Sequence, residues 1–123
     1  DVTIIACGHM VWKSIEATKV LKEKGISVDL INMHTIKPLD KEAILNSIQK
    51  TGCIVTAEEH MANGGLGEAV SQVLSKNHPC PQEFIAVNDS FGESGTPMEL
   101  MDKYGLGAND IVKAAEKVIS RKA

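Results

Sequence analysis

The sequence has 123 residues, 43% hydrophobic and 24% charged, a balance that excludes a disordered tail, a collagen-like repeat and a long charged arm. A chain of this length buries about two thirds of its unfolded surface, so it can build a core without disulfides or metals. Its net charge of −3 has the wrong sign for the basic stripe of a nucleic-acid binder, and its apolar runs are far too short to span a membrane.

Strand and helix signals alternate along the whole chain. Val2–Cys7 is a short β-branched run closed by Gly8, as expected for a strand buried on both faces. A helix is predicted from Met10 to Lys24, stopped by Gly25, with Val11, Ile15, Thr18 and Leu21 facing inward. Ser27–Met33 reads as the second strand, and Pro38 punctuates the loop after it. Asp40 is a suitable N-cap for a helix through Lys50, whose Ile44, Leu45 and Ile48 share a face. Thr51-Gly52 turns into a third strand, Cys53–Glu58. After the loop Glu59–Gly64 comes a helix carrying Leu66, Ala69, Val70, Val73 and Leu74 at helical spacing.

Asn77–Pro81 reads as a loop, and Phe84–Val87 as the fourth strand. A glycine-rich loop, Asn88–Gly95, precedes a short helix capped by Thr96, with Pro97 in its first turn. The final helix places Ile111, Ala114, Ala115, Val118 and Ile119 on one side. The only aromatic residues are Trp12, Phe84, Phe91 and Tyr104, so the core must be aliphatic. Strands joined through helices run parallel, with right-handed crossovers. The expected fold is a three-layer α/β/α domain over residues 1–123, with a mainly parallel sheet of strand order 2-1-3-4. Its ligand edge would be the carboxyl ends of strands one and three, at the switch point.

Few residues offer chemistry at that edge. His9, His34 and His60 each follow a strand, near Glu58 and Glu59, yet no two share a helix turn as a rigid metal site requires. Solvated loop histidines are the favoured reading. Gly64, Gly65 and Gly67 surround a helix start, where free N–H groups can hold an anion. The alternative is that they permit a tight turn and close packing. The loop Asp89–Gly95 carries Phe91 but no nucleophile elbow, which favours a surface or interface loop.

Trp12 shares a helix side with Glu16, Lys19 and Glu23. It marks either an interface or an aromatic ring folded over a strand end. Cys7, Cys53 and Cys80 form no C-x-x-C pair and read as reduced thiols of a cytoplasmic protein. Asp1 leads straight into the first strand without Met or leader, so the chain is expected to be part of a longer one.

The ordered set Asp1–Ala6, Thr35–Asp40, Val55–His60, Gly64–Val70 and Phe91–Gly95, followed by Glu99-Leu100 and Tyr104–Leu106, resembles the C-terminal (third) domain of transketolases. The resemblance covers almost the whole chain. It extends to the equivalent domains of deoxyxylulose-phosphate synthases and of 2-oxoacid dehydrogenase β subunits. It implies a whole enzyme that moves a two-carbon ketol unit between sugar phosphates, using thiamine diphosphate and a divalent metal. Both would be held by other domains, so no catalytic, cofactor-binding or metal-binding residue is carried over onto this chain. The resemblance further implies a structural domain that assembles with the remaining domains or subunit, and a homodimer.

Three departures stand out. Cys7–Val11 replaces a stretch that often reads Thr-Gly-Ser-Glu-Val, Gly107 stands where Thr usually caps the last helix, and an antiparallel edge strand would precede Asp1. A free-standing module binding an anionic metabolite at the sheet edge is the competing reading. For either, the ligand or interface edge would comprise His9, Trp12, Glu59, His60, Gly64, Gly65, Gly67 and Phe91.

Overall fold

The computed structural model describes residues 1–8, 10–33, 39–58, 65–86 and 107–122. Within them the elements are β1 (Val2–Ala6), α1 (Met10–Glu23), β2 (Val28–Asn32), α2 (Lys41–Thr51), β3 (Ile54–Glu58), α3 (Leu66–Asn77), β4 (Gln82–Ala86) and α4 (Ala108–Ser120). The four strands are parallel, in the expected order β2-β1-β3-β4. The short helix expected after Thr96 lies outside the described residues.

Local signals set the boundaries. Asp40 accepts the Ala43 N–H at 3.1 Å and starts α2. Gly52 ends it in the left-handed region, φ 76°, with its N–H donated to the Ile48 carbonyl. Gly25, φ 81°, stops the chain after α1 in the same way. At α4, Gly107 brings no side-chain cap, and Asp110 takes the Gly107 N–H at 3.1 Å instead, one half of a capping box.

The strand period of two divides the core. Val2, Ile4, Ala6, Cys53, Val55 and Ala57 face α1 and α4. Ile5 and Ile54 face α2 and α3, where Ile44, Ile48, Leu66, Val70 and Leu74 cover them. Thr3 lies on this second face and is fully buried. Its hydroxyl is 2.6 Å from Ser47 Oγ and 2.7 Å from Thr51 Oγ1, and Ser47 Oγ donates to Asp29 Oδ2 at 2.5 Å. A carboxylate only accepts, so Ser47 donates to Asp29 and Thr3 donates to Ser47, while the Thr51 hydroxyl lies within reach of Thr3 and of the Ser47 and Cys53 carbonyls. The Ser47 hydroxyl, helped by Lys50 at 3.4 Å, holds the Asp29 carboxyl below the usual carboxylate range.

Two elements differ from expectation. The buried side of α1 is Met10, Lys13, Ser14, Ala17 and Leu21, while Ile15 is 37% exposed. Close approach decides this orientation. Ser14 and Ala17 are small, and α4, which α1 packs against, brings Ala114 and Ala115 to the same core. Strand β4 begins two residues before Phe84, because pairing with β3 starts where Ile54 N–H meets the Pro81 carbonyl at 3.1 Å.

Ser14→Ala should stabilise the protein by about 1 kcal/mol, since Ser14 Oγ is buried with no hydrogen-bond partner among the described residues and Ala is the better helix former. Denaturant melts check this. Ser47→Ala should cost about 1–3 kcal/mol by removing the hydroxyl that donates to the Asp29 carboxylate and bonds to Thr3. It should also raise the Asp29 pKa, readable by NMR titration. Because the folded pKa of Asp29 is depressed, its stabilising contribution is present above the ordinary carboxylate range and is lost as pH falls through the folded value. That acid-side loss should shrink in the variant.

Candidate functional site at the carboxyl edge of the sheet

Strand β3 delivers Glu58 to the start of α3. Glu58 is 4% exposed. Its Oε1 accepts the Leu66 N–H at 2.9 Å and its Oε2 the Gly67 N–H at 2.6 Å. The chain thus supplies its own anion to the positive end of α3. The glycines make this contact possible through space, not through backbone strain. Gly65 is extended at φ −70°, ψ −171°, and a Cβ there would stand 2.2 Å from Glu58 Oε1. A Cβ on Gly67 would stand 2.5 Å from Phe84 Cδ2 and 3.2 Å from Thr56 Oγ1. Gln82 Nε2 completes the lock, donating to Thr56 Oγ1 at 3.2 Å and to the Gly67 carbonyl at 3.0 Å. A buried carboxylate thus already takes the Leu66 and Gly67 N–H groups that an anion would use at this helix start.

In the sequence Glu58 stands only as a carboxylate near the edge histidines, and its role as a helix cap is not visible there. Capping rules look three residues along the chain. Glu58 reaches its donors across 8 and 9 residues, so no local pattern reveals it.

Of the other expected edge residues, His9, Glu59, His60, Gly64 and Phe91 lie outside the described residues, as does His34. Trp12 does not fold over a strand end. It stands 71% exposed on the outer side of α1, beside exposed Glu16, Lys19 and Glu23. Burial pushes the Cys53 and Cys80 thiols up, which keeps them protonated and poor as nucleophiles or metal ligands. Among the described residues no three His, Cys, Asp or Glu side chains gather to hold a metal, and no helix is long and apolar enough to cross a membrane.

Gly65→Ala should lower stability by more than about 1 kcal/mol, because its Cβ displaces the Glu58 carboxylate from two N–H donors. Gly67→Ala should also destabilise, but Phe84→Ala should rescue it in large part. Phe84 is exposed, its ring is the main obstacle, and Ala favours a helix over Gly by about 1 kcal/mol. A double-mutant cycle of melts measures the coupling, and additivity would show that the ring is not the obstacle.

The family model for the transketolase C-terminal domain matches residues 1–111. A 6-deoxy-6-sulfo-D-fructose transketolase subunit SqwH from Clostridium sp. (strain MSTE9) is 46% identical over 122 residues, covering 99% of this chain and 38% of that protein. A 1-deoxy-D-xylulose-5-phosphate synthase 1 from Geobacter sulfurreducens is 39% identical over 124 residues, covering 99% of this chain and 20% of that protein. Among solved structures, a split-gene transketolase described as an inactive beta4 tetramer superposes with a TM-score of 0.94. It is 48% identical, covering 100% of this chain and 40% of that one. A transketolase mutant from Pichia stipitis, 21% identical with a TM-score of 0.67, covers 98% of this chain and 16% of that one and shares the fold. The chain therefore spans 38% of the length of the first of these relatives and 20% of the second. By the family match, the sequence identities and the superposition, this chain belongs to the transketolase C-terminal domain family.

Proposed function

We propose that residues 1–123 serve as the structural third domain of a cytoplasmic, thiamine-diphosphate-dependent transketolase that transfers a two-carbon ketol unit between sugar phosphates in the pentose phosphate pathway. The cofactor and its divalent metal belong, on this reading, to the other domains or to a separate subunit. The observation that carries it is Glu58, whose carboxylate occupies the α3 start where a free-standing anion-binding module would seat its ligand. Membership of a family that includes transketolase subunits supports the same reading.

The isolated chain should bind no thiamine diphosphate in the presence of magnesium by titration calorimetry. Micromolar binding would overturn the assignment of the cofactor to other domains.

The partners on this reading are the remaining transketolase domains or subunit and a second copy of the enzyme, with no role for nucleic acid or a membrane. Trp12, 71% exposed with Ile15 one turn along, supports a contact surface on α1. A stable interface buries about 1,200 Å² or more, and one helix face offers less than that. The isolated chain should therefore form a concentration-dependent monomer–dimer mixture in sedimentation, shifted toward monomer by Trp12→Ala. A monomer at every concentration would remove the self-association, and a tight dimer indifferent to Trp12→Ala would place it elsewhere.

A further inference from the structure

We draw no further inference here: the strongest candidate, the outer edge of β4 beside the exposed Phe84 ring, carries nothing because nothing in the structure shows what covers it.

Discussion

Val2, Ile4 and Ala6 of β1 face α1 and α4, whereas Thr3 and Ile5 face α2 and α3, and β3 follows the same division. Both strands are buried along all five residues, so every side chain on them must find a partner inside the molecule. On the α1 and α4 side the requirement is shape alone, because all six facing residues are apolar. On the other side three of the facing residues are polar: Thr3, Thr56 and Glu58. An unpaired polar group buried there costs about 1–3 kcal/mol, so each one dictates where a neighbouring element can sit. Thr3 requires the hydroxyls of Ser47 and Thr51, one helical turn apart on α2. Thr56 takes its donor from Gln82 and so ties β4 to the sheet. Glu58 takes the first free N–H groups of α3.

At the amino edge of the sheet, Lys122 Nζ donates to the Asp1 carbonyl at 2.8 Å and to the Thr51 carbonyl at 2.9 Å. Arg121 donates to the Gln82 carbonyl at 3.0 Å and pairs with Glu83. The end of α4 thus ties together the starts of β1 and β4 and the end of α2. In chain order, β2, β3 and β4 are each followed by residues outside those described, 34–38, 59–64 and 87–106.

The order of elements was legible because each strand carries a β-branched or apolar stretch and turn or capping residues separate the elements. Asp40, Gly25 and Gly52 act in the structure as their residue types imply. The orientation of α1 was not legible, because hydrophobic spacing ranks Ile15 above Ser14 while close packing against α4 ranks them the other way. The start of β4 was hidden by Gln82 and Glu83, polar residues that serve a side-chain bridge and an ion pair instead of the core. The cap from Glu58 was hidden because its donors lie 8 and 9 residues further along the chain. Each miss is a case in which a tertiary contact, not a local propensity, decides the outcome.

That cap also bears on what the edge can bind. A helix start favours a negative charge by about 0.3–1 kcal/mol when exposed, and by about 2 kcal/mol in partly buried geometries. Here that gain already goes to Glu58, with both oxygens engaged by the Leu66 and Gly67 N–H groups. A second negative group about 4 Å from Glu58 would be repelled by about 4 kcal/mol at the effective dielectric of a protein surface. The attraction of the helix end is smaller than that repulsion. The glycine-rich start of α3 therefore acts as an internal joint: it pins the far end of the 59–64 connection to the end of β3. Gly65, one of the glycines that suggest a phosphate cradle in the sequence, makes room in the folded chain for the carboxylate that takes the anion's place.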